Sequence, residues 1–395
     1  MEYEKEKNFI VDMANRIIPV QAIGPSSGGK GEKERADVIC SILEEMGFKD
    51  FHRFDFKDNS DSVRSNIVLK IGNKKKTFWV IPHIDTVPAG DMKEWKHPPF
   101  RVTREGDNIY GRGTGDNGQA IFMSLLLLKR LNVEKLRFNL GIIFVADEET
   151  GSVYGMQKLM DKGLFHKDDL VLVPDDGNNK GDEIEIAEKS ILWLKFVVKG
   201  IAGHASTPSE ARNSSRLGMK FMLSIDDYLH KQYNATDSTF SPEFSTFEPT
   251  KHELNVNNIN TIPGEDVFYM DCRILPKYDL DTVLDHIHDE IRDFERENGI
   301  TVNLEVVQKE QAPLPTPVTS EIYRLLYESL KTVRNIEAHP VGIGGGTVAK
   351  FFRERAIDAV VWITAKSEVY HRPNEYVPLQ YIIDDTLTLE HILYS

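Results

Sequence analysis

Three uninterrupted apolar runs, at 78–82, 140–146 and 171–174, constrain this 395-residue chain more than any other feature. A strand wetted on one face alternates apolar and polar residues. A strand that is apolar throughout is covered on both faces, as in a parallel sheet with helices above and below. The surrounding segments supply those helices. Apolar residues recur at helical spacing over 6–18, 32–46, 118–131 and, briefly, 154–162, between strand patterns at 65–71, 77–82, 137–146 and 169–174. This alternation predicts an α/β domain.

From residue 191 the pattern changes to strand 191–199, helix 214–229, strands 253–257 and 267–274, helix 281–296 and strand 301–308. The β-α-β-β-α-β order is that of a small α+β sandwich with its helices on one face. A Pro-rich stretch at 312–317 leads back to a helix at 320–333 and a strand at 359–364, which resume the first pattern. The second domain is therefore read as inserted into the first, with boundaries 1–189, 190–310 and 311–395. Two cores also suit a chain of this length.

The net charge of -14 and the lack of any basic stripe longer than Lys74-Lys75-Lys76 argue against nucleic acid as a partner. That lysine run reads as a solvated hairpin turn between the strands at 65–71 and 77–81. Only Cys40 and Cys272 occur, with no CxxC pair, so neither a disulfide framework nor a thiolate metal site is expected. No signal-peptide pattern opens the chain, and no apolar run approaches the ~20 residues that span a bilayer. A cytoplasmic protein without membrane contact is the expectation.

The chemistry gathers where the strands stop. In open α/β sheets, ligands collect beyond the carboxyl ends of the strands. The run at 78–82 leads into His83-Ile84-Asp85, that at 140–146 into Asp147-Glu148-Glu149, and that at 171–174 into Asp175-Asp176; a short loop joins the strand at 359–364 to His371. Crowded carboxylates repel one another, and a mixed His/Asp/Glu set suits zinc or a similar divalent ion, most simply as a pair. His-x-Asp in an extended segment puts both side chains on one side, so Asp85 is expected to take the free ring N–H of a metal-binding His83. Glu148 and Glu149 point to opposite sides, so one is expected to bind metal and the other to hold the attacking water as general base. Asp116 opens the apolar helix at 118–131, where a carboxylate can bridge two ions. Gly113-x-Gly115-x-x-Gly118 has the form of a dinucleotide fingerprint, but the strand ending in an acid expected ~20 residues on is missing.

Taken in order, several motifs resemble the M20 metallopeptidases, a family of deacylases, dipeptidases and carboxypeptidases. They begin with His83-Ile84-Asp85-Thr86-Val87-Pro88, Trp95 with Pro99-Phe100, Gly111-Arg112-Gly113 with Asp116, and Asp147-Glu148-Glu149-Thr150-Gly151. Gly203-His204-Ala205, Asn260-Thr261-Ile262-Pro263-Gly264, Asp271-Cys272-Arg273, Gly345-Gly346-Thr347 and His371-Arg372-Pro373-Asn374-Glu375 follow. The resemblance implies a zinc-exopeptidase-like catalytic domain with a mostly parallel sheet, and an inserted ferredoxin-like lid domain through which the chain forms a homodimer. It implies two zinc ions per chain, replaceable by cobalt or manganese. Asp116 is implied as their bridge, with His83 and Asp175 on one ion, Glu149 and His371 on the other, and Glu148 as the base. Of the adjacent Asp175 and Asp176 the resemblance favours Asp175, which follows Pro174. It implies further that His204 reaches the partner subunit's site to steady the oxyanion, and that Arg273, Asn260, Gly346 and Thr347 hold a substrate carboxylate or carbonyl. Trp95 and Phe100 read as packing. The implied reaction is amide hydrolysis in an N-acyl amino acid or short peptide, with succinyl-diaminopimelate desuccinylase-like deacylation ahead of dipeptidase or carboxypeptidase action. A non-catalytic binding protein on this fold would ordinarily have lost a ligand or the base, and none is missing.

Overall fold

The computed structural model describes residues 2–395, which form two compact units. The first contains the described residues up to Ile186 with Thr316–Val341 and Thr347–Ser395; the second contains Ala187–Pro315 and Gly342–Gly346.

The larger sheet has eight strands, in the order Phe51–Lys57, Val63–Ile71, Asn139–Phe144, Thr77–Val80, Leu170–Val173, Ala359–Val361, Glu183–Glu188 and His339–Ile343. Asn139–Phe144, Thr77–Val80, Leu170–Val173 and Ala359–Val361 are mutually parallel, with Phe78 opposite both Leu140 and Leu170 and Ala359 opposite Val171. The strands flanking these four run antiparallel to them. The parallel strands are the continuous apolar runs, and both their faces are covered. Trp79, Ile143, Val171 and Val361 pack with Met156, Leu159, Phe351 and Phe352 on one side. Phe78 and Val80, which point the other way, are fully buried as well. Each such side chain contributes about 1.5–3 kcal/mol on burial. Gly141 makes room for Trp79: a Cβ there would lie 2.2 Å from Trp79 Cε3.

Two local expectations are corrected in this unit. Lys74-Lys75-Lys76 is not a hairpin turn, because the strands it joins, Val63–Ile71 and Thr77–Val80, sit on either side of Asn139–Phe144. The segment carries the chain past that strand and is held by Asn139, whose side chain accepts from Lys74 N (2.6 Å) and donates to Lys74 O (2.9 Å). The helix expected from residue 118 starts at Ala120, after an irregular turn at Thr114–Gln119.

The second unit has an antiparallel sheet in the order Thr246–His252, Glu265–Ile274, Ser190–Lys199 and Thr301–Glu310. Helices Ser214–Gln232 and Leu280–Asn298 bury Phe221, Ile225, Leu229, Val283, Ile287 and Ile291 against Leu192, Leu194, Phe196, Phe268 and Met270. The strand expected at 253–257 lies instead at Thr246–His252. It is an edge strand whose register shifts between Pro249 and Lys251, and proline, lacking an N–H, is tolerated in a sheet at such an edge bulge.

The fold places His83, Asp147-Glu148-Glu149 and Asp175 just beyond the carboxyl ends of parallel strands, whereas Asp116 lies in the turn Thr114–Gln119 that follows Asn108–Tyr110. A further ribbon, Thr103–Glu105, Asn108–Tyr110 and Tyr376–Pro378, pairs Tyr376 with Tyr110 and Val377 with Ile109, bringing the segment after His371 beside the glycine turn. Among the described residues no helix is long and apolar enough to cross a membrane.

Candidate metal centre

His83 is buried, and its Nε2 lies 2.8 Å from Asp116 Oδ1 and 3.4 Å from Asp175 Oδ1. His371, at left-handed φ of 58°, points its Nε2 at Asp116 Oδ2 (3.0 Å) and Glu149 Oε2 (3.1 Å). The two oxygens of Asp116 thus face two different imidazoles. One ligand atom from each of His83, Glu148 and Asp175 lies within 4.8 Å of the others, and the same holds for His83, Asp116 and Glu149. Donor atoms about 2.0–2.2 Å from one tetrahedral ion stand roughly 3.3 Å apart, so the observed separations are of the size a bound divalent cation requires.

Local chemistry fixes these positions. Asp85 Oδ1 accepts from Glu148 N (3.1 Å) and its Oδ2 from Glu149 N (3.0 Å), so one carboxylate anchors the turn that carries both glutamates. His83 Nδ1 is 3.3 Å from Asp85 Oδ1 and makes no hydrogen bond among the described residues. Asp147, at φ 68°, shapes the same turn by accepting from Tyr154 N (2.9 Å) and pairing with buried Arg64 (2.8 Å). Asp116 sits in the turn Thr114–Gln119 at φ -102°, ψ 98°, outside helical geometry. Its neighbour Asn117, given no role by sequence reasoning, ties three segments together. Asn117 Oδ1 accepts from His83 N (3.2 Å), while Nδ2 donates to Pro174 O (2.8 Å) and Asp175 Oδ1 (3.2 Å).

The electrostatics show an anionic cluster in want of cations. Burial, followed by the charge of Asp175, pushes the Glu148 carboxyl well above its ordinary range. Burial raises Glu149 to about 7 against the pull of His371. Burial opposes charge on His83, but Asp116, Asp175 and Asp85 outweigh it and hold the imidazole well above its usual value. Asp116 and Glu149 raise His371 to about 10. Protons on these groups occupy the electrostatic role that divalent ions fill in a mixed His/carboxylate site. Asp176, the other candidate of the adjacent pair, turns Oδ1 to its own loop at Gly177 N (2.8 Å). Another residue missed from sequence is Tyr370, whose buried hydroxyl has no hydrogen-bond partner among the described residues.

His83, Asp85, Asp116, Glu148, Glu149, Asp175 and His371 are therefore brought together in the first unit. Thr347, also in that unit, is buried, and its Oγ1 accepts from Ala349 N (3.2 Å) at the start of the helix Ala349–Arg353. His204, Asn260, Arg273 and Gly346 belong to the second unit. There the exposed His204 pairs with Thr261 on a two-stranded ribbon, and its Nδ1 accepts from Ser206 N (3.1 Å). Asn260 is exposed on the same ribbon, its carbonyl bonded to Ala205 N (2.9 Å). Arg273 is held by Asp271 (2.7 and 3.1 Å) and by the Gly344 carbonyl (2.9 Å), two residues before the exposed Gly346.

Comparison with known proteins bears on this arrangement. The profile of peptidase family M20/M25/M40 matches residues 80–395. An uncharacterized metallohydrolase of Methanocaldococcus jannaschii is 37% identical over 98% of both chains. A succinyl-diaminopimelate desuccinylase of Pelagibacter ubique is 23% identical over 88% of both. Among solved structures, the aminopeptidase PepT from Bacillus cereus superimposes with a TM-score of 0.77 at 16% identity, over 98% of each chain.

Proposed function

This chain belongs to peptidase family M20/M25/M40 and is a metallohydrolase of peptide or amide bonds, and from that premise we propose that it is a two-zinc deacylase of N-acyl amino acids or short peptides. The observation that carries the reading is Asp116, with one oxygen 2.8 Å from His83 and the other 3.0 Å from His371. In this reading His83 and Asp175 would hold one ion, Glu149 and His371 the other, and Asp116 would be shared by both. Such ions supply Lewis acidity at the scissile carbonyl and at the attacking water. Asp85 fixes the turn so that Glu149 and Glu148 serve different ends. Glu148, whose carboxyl burial raises well above its ordinary range, takes the proton of the attacking water and returns it to the leaving nitrogen.

The desuccinylase among its relatives supports deacylation of an amino acid that keeps a free carboxylate. Arg273, Asn260, Gly346 and Thr347 are assigned to holding that substrate. His204 is assigned to the oxyanion of a partner subunit's site in a homodimer formed through an inserted domain at about 190–310. In support, His204 and Asn260 share an exposed ribbon, and Ile259, next to Asn260, is fully exposed, so these side chains are accessible to a second copy. Both cysteines are unpaired, in keeping with a cytoplasmic protein.

Glu148→Gln tests the assignment. With N-succinyl and N-acetyl amino acids, dipeptides and longer peptides as substrates, the wild type is expected to cleave at least one group. The variant should lose about 10²–10⁴-fold in kcat while binding the same metal content. A variant that retains wild-type turnover removes Glu148 as the base.

A further inference from the structure

We propose that Glu375, backed by Arg112, is the positioning residue that sets Asp116 against His371; this rests on the two-ion reading of the site. The two ligands come from distant parts of the chain, and three observations converge on what joins them. The ribbon that pairs Tyr376 with Tyr110 continues as a bond from Gly111 N to the Glu375 carbonyl (3.0 Å). The Glu375 side chain then turns inward, where its Oε1 accepts from Gly115 N (2.9 Å) and from the amide of Asp116 itself (3.0 Å). Its Oε2 accepts from Arg112 Nη1 (2.6 Å).

Glu375 is 0% and Arg112 1% exposed, and the Arg112 guanidinium lies 5.3 Å from the ring centre of Trp95. This gives Trp95 a definite contact. Gly115 also packs closely against Tyr370, since a Cβ on Gly115 would lie 2.7 Å from Tyr370 Cε1 and 3.5 Å from Glu375 Oε1. Tyr370 and Glu375 flank His371 in sequence. The turn bearing Asp116 is thus held by residues that precede and follow His371 in the sequence.

A hydrogen bond to the Asp116 amide acts directly on the backbone from which its carboxylate projects. The relation between His83 and Asp175 has a separate support in Asn117, which bonds His83 N and Asp175 Oδ1. Loss of the clasp is therefore expected to weaken the ion assigned to Glu149 and His371 and to spare the one assigned to His83 and Asp175.

The test is zinc titration of metal-free wild type, Glu375→Ala, Glu375→Gln and the double variant Arg112→Met/Glu375→Ala. The double variant leaves no unpaired buried charge and so keeps the question answerable if Glu375→Ala does not fold. The expected result is one ion bound about 10–100-fold more weakly in both alanine variants, the other within about threefold of wild type, and Glu375→Gln in between. Two ions bound as in wild type by the folded double variant, or both weakened equally, overturns the proposal. A wild type that binds fewer than two zinc ions counts against the two-ion reading and not against the clasp.

Discussion

Replacing Asn117 by Asp changes almost no volume but reverses the chemistry at the junction of three ligand segments. The Asn117 amide nitrogen donates to Pro174 O at 2.8 Å and to Asp175 Oδ1 at 3.2 Å. An aspartate oxygen in its place sets a negative charge against both. At about 3 Å and an effective dielectric of about 20, the repulsion from Asp175 is about 5 kcal/mol. The new carboxyl escapes part of this by staying protonated, so its pKa in the folded state lies above the unfolded value. A raised acid of this kind contributes no penalty below its unfolded pKa, and the penalty grows as pH rises toward the folded one. The metal-free variant should therefore be destabilised by about 3–5 kcal/mol near pH 8, a fall of roughly 5–10 °C in Tm. The deficit should shrink steadily toward pH 5. Thermal unfolding of metal-free wild type and variant, followed by circular dichroism across that range, measures it. Equal melting at both ends of the range, or a deficit independent of pH, refutes the reasoning that Asn117 acts as a donor to Asp175.

Two further predictions concern protons and subunits. In the metal-free protein His83 and His371 hold protons near neutrality, His371 with a pKa of about 10 against an ordinary 6.5. Glu148 is raised as well, and Glu149 reaches about 7 against 4.5. Stability from the raised His371 imidazole is fully present below 6.5 and is lost as pH rises through 10; the penalty for ionising buried Glu149 is absent below 4.5 and grows toward 7. Metal-free protein should thus melt lower as pH rises, whereas zinc binding should strengthen and release protons, measurable by calorimetry in buffers of different ionisation enthalpy. His204→Ala should keep its metals and lose about 10²–10³-fold in kcat. Mixed with Glu148→Gln and allowed to exchange subunits, it should regain activity, since each heterodimer has one complete site; no regain places His204 outside the partner's site.

The central strands and most of the residues that gather at the candidate site were legible because each is written locally. Burial on both faces makes 78–82, 140–146 and 171–174 apolar without interruption, and the acids and His83 follow directly at the strand ends. The strand Thr246–His252 was missed because, apart from Phe247, little of it is buried, and Pro249 disguises an edge bulge. Phe51–Lys57 was missed for a related reason, as an edge strand whose phenylalanines are only half-buried. Asn117 and Glu375 left no pattern because they act on backbone groups far away in the chain, Glu375 on an amide 259 residues distant. The one signal available for Glu375 was its place four residues after His371. Asp85 was read as a partner of His83 from their alternation, but that spacing says nothing of the Glu148 and Glu149 amides, which take both its oxygens.

Asp116 is proposed as the bridge of a two-ion site. Elemental analysis of the wild type and Asp116→Asn after reconstitution with excess zinc and exhaustive dialysis tests this most directly. Two zinc ions per wild-type chain, and at most one in the variant, is the predicted result. A wild type that retains none, or a variant that keeps both, contradicts it.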